Sequence, residues 1–465
     1  MANSRKIVDD RLSRADKTRN NYQWYKDKTN CYDSTSENSI LSTDTYSSRK
    51  TRMQINYNLL NNILYAPDFN RICKPWGEEG DELPTKMVNR DIISPKLKVV
   101  CGMALKRALN FKLLAVNPEA TTRKELEEVE QMKNFVVSQI MTPIKQEIEL
   151  EYQEQLANKE LTEDQRNQIN QEIAEKEKAR TPEEVKKYMA REHQDPSEIL
   201  FNQLLNIEKK KQNIKFKLGK CLKHGLASAV QVMYIGSIGG KMQTWVVNPL
   251  DFDYDDNPDL EFIHQGDWQT YRIRMSPAKI VGLFGDYLSD EDIDQIYDEI
   301  NTREAQRMEG LSFSSLTGQE EEYNRESTRS DTIEVLHTVF TSLRKIGVVS
   351  RLNEDGEIDE EIVDETYSIN FDAGDQSIEW KWLPEKYETW RIGKDIYPIM
   401  QPVEGQFEDL DDLTSFTSPY VGVVYDADNS VPTGFVDRLK QFQYNYNEIL
   451  YKVQNLMDSD EGKKY

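Results

Sequence analysis

Apolar residues recur at alternating spacings of four and three along the last helical stretch of the chain: Phe435, Leu439, Phe442, Tyr446, Ile449, Val453 and Leu456. This period draws a narrow apolar seam on one long helix. At 1.5 Å per residue the seam runs roughly 31 Å, too long for an ordinary surface helix of a small domain. The other faces carry Arg438, Lys440, Gln441, Gln443, Asn445, Asn447, Glu448, Lys452 and Gln454. Such a helix buries one stripe against neighbours and leaves the rest to water or a polar ligand. Ahead of it stand Ser418-Pro-Tyr-Val-Gly422, a turn at Asp426-Ala-Asp-Asn-Ser430, and Pro432.

Earlier segments alternate between the two periods. Residues 56–115 read as helical, with Leu59, Leu60, Ile63 and Leu64 on one face and a loop at Pro75-Trp-Gly-Glu-Glu-Gly80. The charge-dense stretch 121–194 predicts helices near 121–159, 162–179 and 182–193. Thr162 with Gln165 makes a capping box, and Thr181-Pro182-Glu183-Glu184 places a proline and acids in a first turn. Another helix is expected from Pro196 to about Gly225. Strand alternation begins at Val230-Gln-Val-Met-Tyr-Ile235 and returns at Met242-Gln-Thr-Trp-Val-Val247 across a glycine-rich turn at Gly236–Gly240. Helical pieces follow at Pro277–Tyr287 and Ser289 to about Arg307, then a polar loop over 309–331. A second β block spans Thr332–Met400, with turns at Asn353–Gly356 and Asp372–Gly374.

Composition narrows the class. The 465 residues suffice for two to four domains, and no apolar run approaches the length of a membrane span, which predicts a soluble chain. Met1-Ala-Asn-Ser-Arg5-Lys6 shows no secretory signal, and the four cysteines form no CxxC pair, as in a reducing compartment. A net charge of −23 argues against a protein that wraps and reads DNA, though not against one that DNA slides past. Residues 1–55 are the local exception, with 11 Lys/Arg against 7 Asp/Glu, and predict a basic, flexible arm that docks on a partner surface.

Catalytic patterns are not found. Gly239-Gly240-Lys241 places Met242 where a phosphate loop needs Ser or Thr. A calcium loop starting at Asp251 would need Gly at its sixth place and Glu at its twelfth, where the chain has Asp256 and Phe262. His193, His224, His264 and His337 have no zinc-ligand spacing. The reading is no enzyme, with no catalytic, cofactor-binding or metal residues.

The order of segments carries a further signal. The hairpin ending Val247-Asn-Pro-Leu250-Asp-Phe252, then Trp390-Arg-Ile-Gly393-Lys-Asp-Ile-Tyr397, Ser418-Pro-Tyr420, Val436-Asp437-Arg438-Leu439-Lys440 and Tyr446-Asn447 resemble the portal (head-tail connector) proteins of tailed bacteriophages, most nearly those of crAss-like phages. The resemblance covers most of residues 56–465. It implies an α+β fold, a portal-like helical and β-rich wing followed by a long stem helix. On that frame 1–55 is the arm, 56–430 the wing with an acidic helical insertion at 121–194, 431–459 the stem-like helix and 460–465 the start of a clip. The rest of the clip, the second stem helix, the tunnel loop and the crown are then expected to be absent from this chain.

The family forms rings, typically of about twelve subunits, at one capsid vertex. The resemblance therefore implies a virion protein assembled in the host cytoplasm, a channel for genome packaging and ejection. Its implied partners are copies of itself, the major capsid protein, head-tail adaptor or ring proteins, the packaging terminase that supplies ATPase activity, and double-stranded DNA, with no membrane. The seven seam residues become the expected oligomer contact, and Lys440 and Lys452 the candidate groups facing DNA. Two alternatives stay open: a virion adaptor or scaffold docking through helical arms, and, more distantly, a divalent-metal nuclease built on Asp251, Asp253 and Asp255.

Overall fold

The computed structural model describes residues 8–36, 39, 44–65, 89–107, 111–115, 119–137, 182–191, 193–255, 257, 260–302, 332–352, 358–371, 374–407, 413–426 and 431–459. They form a mixed α+β structure ending in a long helix, Phe435–Ser459. The chain divides into two compact units, residues 1–107 with 216–465, and residues 108–215. The acidic segment 121–194 falls inside the second.

Two antiparallel sheets build the first unit. In the smaller, β1 (Val230–Ile238) lies between β2 (Lys241–Val246) and β9 (Tyr420–Val424). The hairpin is tighter than the sequence suggests. Strand pairing continues to Ile238, and only Gly239 and Gly240, at φ 57° and 69°, make the turn. Two successive positive φ values match the right-handed twist of the strands and favour glycine at both places.

The larger sheet runs β3 (Phe252–Tyr254), β4 (Trp268–Met275), β5 (Ile333–Leu352), β7 (Asp375–Ile392), β8 (Ile396–Pro402), with β6 (Ile358–Asp364) on the far half of β5. Pro384 is tolerated inside β7 because β8 begins pairing only at Tyr387, so at Pro384 the strand has β5 as its one neighbour. Helices Pro277–Phe284 and 290–302 follow β4. In the second of these, Ser289 and Asp292 cap each other, Oγ accepting from Asp292 N at 3.2 Å and the carboxylate from Ser289 N at 3.0 Å.

One aromatic core joins the sheets. His337 of β5 stacks on Trp390 of β7 at 3.9 Å, and Tyr234 of β1 stacks on Trp245 of β2 at 4.1 Å. Tyr420 of β9 reaches the His337 Nδ1 at 2.7 Å, and Glu388 sits 3.3 Å from Nε2. Burial lowers the His337 pKa, although Glu388 opposes the shift. The neutral ring then donates through Nε2 to the carboxylate and accepts the Tyr420 hydroxyl proton.

In the second unit, helices occupy 119–137, Pro182–Arg191 and Pro196–Lys211. Asp195 caps the last through Ser197 N at 2.9 Å and accepts from Arg123 Nε at 3.0 Å. The helix expected from Pro196 to Gly225 is broken: Asn213 turns at φ 51°, and a new helix spans Ile214–Ser228. The expected helix at 162–179, the loops at 75–80 and 309–331, the turn at 353–356 and the 460–465 segment lie outside the described residues, as do most of the turns at 372–374 and 426–430.

The flexible arm assigned to 1–55 is corrected by the structure. Helix Arg14–Tyr32, kinked at Arg19–Tyr22, buries Trp24 and Tyr25 against Phe340 and Tyr387 of the large sheet. Trp24 lies 5.5 Å from the Phe340 ring, and Tyr32 stacks on Trp268 at 5.5 Å. The basic residues are satisfied from elsewhere in the fold: Lys28 pairs with Asp10 at 2.7 Å, and Lys17 donates to Leu343 O at 2.6 Å. Asp33 receives Arg272 and Arg391; burial opposes its ionisation, but these guanidiniums and the Thr35 N–H hold its carboxyl well below the usual range. A second helix, Asp44–Leu60, adds Lys50 against buried Asp253 at 2.7 Å.

Two outcomes follow from this docking. Limited trypsin digestion should spare Lys17 and Lys28, and Trp24→Ala, a loss of roughly 3–5 kcal/mol of packing, should expose them; rapid cleavage in the wild type would restore the flexible arm. Burial also pushes Lys17 down to about 8 from 10.5, against the pull of Asp10 and Glu385. Between these values the unfolded chain holds more protons than the folded one, so stability rises with pH. Denaturant unfolding from pH 7.5 to 9.5 should show that rise, and Lys17→Met should flatten it in part, Lys386 contributing a similar share.

Candidate functional site

The long helix is fixed at its start by close contacts. Gly434 approaches so near that a Cβ there would stand 3.1 Å from Ala229 N and 3.2 Å from Leu226 O. Its N–H donates to Asp437 Oδ2 at 2.9 Å, and Asn56 Nδ2 donates to Asp437 Oδ1 at 2.8 Å and to Ala227 O at 3.0 Å. Arg52 adds a bond to Pro432 O at 2.5 Å. Val436 is buried with Leu59, Ile93, Leu97 and Ala227. Leu59 and Leu60 thus share an apolar face as the sequence predicts, but the helix ends at Leu60, and Ile63 is exposed.

One turn further on, the attachment becomes polar. Gln443 and Asn447, four residues apart and both buried, face Asn89–Ile92. Gln443 donates to Arg90 O at 2.6 Å and accepts from Ile92 N at 2.9 Å. Asn447 donates to Asn89 Oδ1 at 2.6 Å and accepts from Arg90 N at 3.2 Å. Asp91 then caps the helix Ile93–Lys106 through the N–H groups of Ile93 and Ser94, each at 2.9 Å. The two carboxamides satisfy backbone groups that the chain entering this helix would otherwise leave unpaired.

The apolar seam is therefore not the side by which the helix meets its own chain. Leu439 is half-buried against the cluster around Val436, but Phe442 is 66 % exposed, Ile449 61 % and Leu456 70 %, with Phe435, Tyr446 and Val453 exposed beside them. Next to the seam lies an open groove of about 440 Å³ lined by Ile92, Ile93, Lys96, Leu439, Phe442 and Tyr446. A contiguous apolar stripe of this length beside a groove is the usual mark of an interaction surface.

The candidate DNA-facing lysines have local partners. Lys440 lies 5.4 Å over the Tyr444 ring, and Lys452 pairs with Glu448 at 2.6 Å. Twelve residues apart on a helix, they point about 120° from one another, so one flat wall does not present both. The three acids of the nuclease alternative are also separately engaged. Asp253 is buried against Lys50, Asp255 accepts from Asp267 N at 3.1 Å, and Asn248 donates to Asp251 at 3.0 Å. Among the described residues, no group of three or more His, Cys, Asp or Glu is placed to hold a metal ion. Nor, among them, is any helix long and apolar enough to cross a membrane.

Sequence reasoning found the seam and missed the clasp and the groove. Gln443 and Asn447 at a four-residue spacing are a visible signal, but Asn89 lies more than 350 residues away, and no local pattern links the two.

No family model matches the chain. Over 439 residues, 88% of its length, it is 24% identical to the portal protein of Bacteroides phage crAss001. The match covers 51% of that protein, so the chain spans about half the length of the curated relative. The likeness to portal proteins of crAss-like phages carried by its scattered motifs thus extends along most of the chain, including the strands of both sheets and the long helix.

Proposed function

We propose that the chain is a portal subunit, one of a ring at a capsid vertex through which double-stranded DNA is packaged and released and to which the tail machinery attaches. The observation that carries this reading is the long helix, firmly seated at one end, with an apolar stripe its own chain leaves uncovered, in a protein similar over most of its length to a phage portal protein. Phe435–Ser459 takes the part of the stem helix, and the two-sheet body the part of the wing. The ring size expected is about twelve, as in the family, and the partners are the major capsid protein, head-tail adaptor or ring proteins and the terminase.

The charge suits the task. A subunit of net −23 repels duplex phosphate at short range, screened beyond about 8 Å at physiological salt. Local pairing of Lys440 and Lys452 lowers their pull on DNA further. The wall would let DNA slide.

Ile449→Asp places a carboxylate in the exposed stripe without touching the core. It should leave the unfolding midpoint within about 0.5 kcal/mol of wild type and abolish rings in native mass spectrometry and negative-stain images. Intact rings would remove the stem assignment. For DNA, duplex binding should be weak, indifferent to sequence and lost steeply with salt. Lys440→Gln with Lys452→Gln should preserve the ring and alter packaging or retention. Tight sequence-selective binding, or magnesium-dependent cleavage abolished by Asp253→Ala, would overturn the passive-channel reading.

A further inference from the structure

The apolar stripe has two unlike halves. Its first half, Leu439, Phe442 and Tyr446, forms one wall of the 440 Å³ groove whose other wall is Ile92, Ile93 and Lys96. Its second half, Ile449, Val453 and Leu456, extends past the clasp as an exposed ridge continued by Met457. One half is concave and held rigid by the Gln443 and Asn447 bonds; the other is convex.

Charge separates the halves as well. Arg90 and Lys96, both exposed, stand beside the groove, and their side chains have no ion-pair partner among the described residues. The ridge is flanked by Glu448 and Asp458. A ridge from a second copy would bring carboxylates to the two cations while its aliphatic side chains fill the groove. Pairing ridge with ridge would set like carboxylates together, and pairing groove with groove would oppose cations over empty volume.

We infer that the subunit contact is head-to-tail, the ridge Ile449–Leu456 of one copy seated in the groove between Ile92–Lys96 and Leu439–Tyr446 of the next. This inference rests on the ring-forming reading and specifies its geometry. A contact between two different surfaces of the same chain builds rings or open filaments, never a closed two-fold dimer. It also sets a stagger. The middle of the ridge lies about eleven residues beyond the middle of the groove, roughly 16 Å along the helix. Parallel helices offset by that much close into a flat ring only if each inclines to the ring axis; upright helices would climb into a spiral.

The test uses two single variants of the full chain, Lys96→Cys and Leu456→Cys, both at exposed positions, joined by a short bismaleimide. Mixed together, they should give a covalent dimer well above the wild-type background from the native cysteines, and each variant alone should not. The double variant should give a ladder ending in closed rings. Lys96→Glu should weaken assembly at least tenfold, and adding Asp458→Lys should recover much of it. Rings by native mass without a Lys96→Cys to Leu456→Cys link, or with Leu456→Cys joined to itself, would overturn the head-to-tail seat and leave the ring reading standing. A wild-type protein that stays monomeric at every concentration would overturn both.

Discussion

The arrangement depends on one inversion: the long helix is held to its own chain by its polar side. An amphipathic surface helix ordinarily turns its apolar stripe inward. Here Gln443 and Asn447 face inward and spend their hydrogen-bonding capacity on the backbone of Asn89–Ile92, while Phe442, Ile449 and Leu456 face out. The carboxamides make this stable, since each donor and acceptor they bury meets a partner. Replacing them with leucine would strand the N–H groups of Arg90 and Ile92.

The rest of the first unit supplies the rigid seat. Val436 enters a cluster with Leu59, Ile93, Leu97 and Ala227, and Ala227 belongs to the helix that runs directly into β1. β1 is clamped by β9, whose Tyr420 hydroxyl ties to His337 in the large sheet. A displacement of the long helix would have to propagate into a close-packed aromatic core. The N-terminal helices stiffen the same body through buried ion pairs, Lys50 with Asp253 and Arg272 with Asp33. Breaking either partner alone would leave an uncompensated buried charge.

What the sequence made legible was local. The three-four spacing from Phe435 to Leu456, the alternation in β5 and β7, the glycine turn and the Ser289–Asp292 cap are each written within a few residues, and each is present. What it hid was assembled from afar. The arm looked basic and solvated because counting Lys and Arg in 1–55 cannot reveal that Asp33 binds Arg272 and Arg391, or that Lys17 reaches Leu343 beside the aromatic rings of Trp24 and Tyr387. Likewise, the period predicted that the seam is a contact surface but could not say with whom. Only the groove contributed by Ile92, Ile93 and Lys96 divides the seam into two unlike halves.

Past Tyr451 the helix receives little from its own chain, and Lys452, Val453, Gln454, Leu456, Met457 and Asp458 are all exposed. An isolated segment of this length would be marginal in water, because starting a helix costs far more than extending one. Seating the first four turns removes that obstacle, and the outer turns need only propagate, helped by the Glu448–Lys452 pair. Association can then gain the burial of Ile449, Val453 and Leu456, roughly 1.5–3 kcal/mol for each side chain fully covered, without first ordering the backbone that carries them. Ordering costs are a large part of what reduces buried area to modest affinity. A ridge already helical and a groove already braced by the clasp let small contacts, repeated around a closed ring, hold firmly.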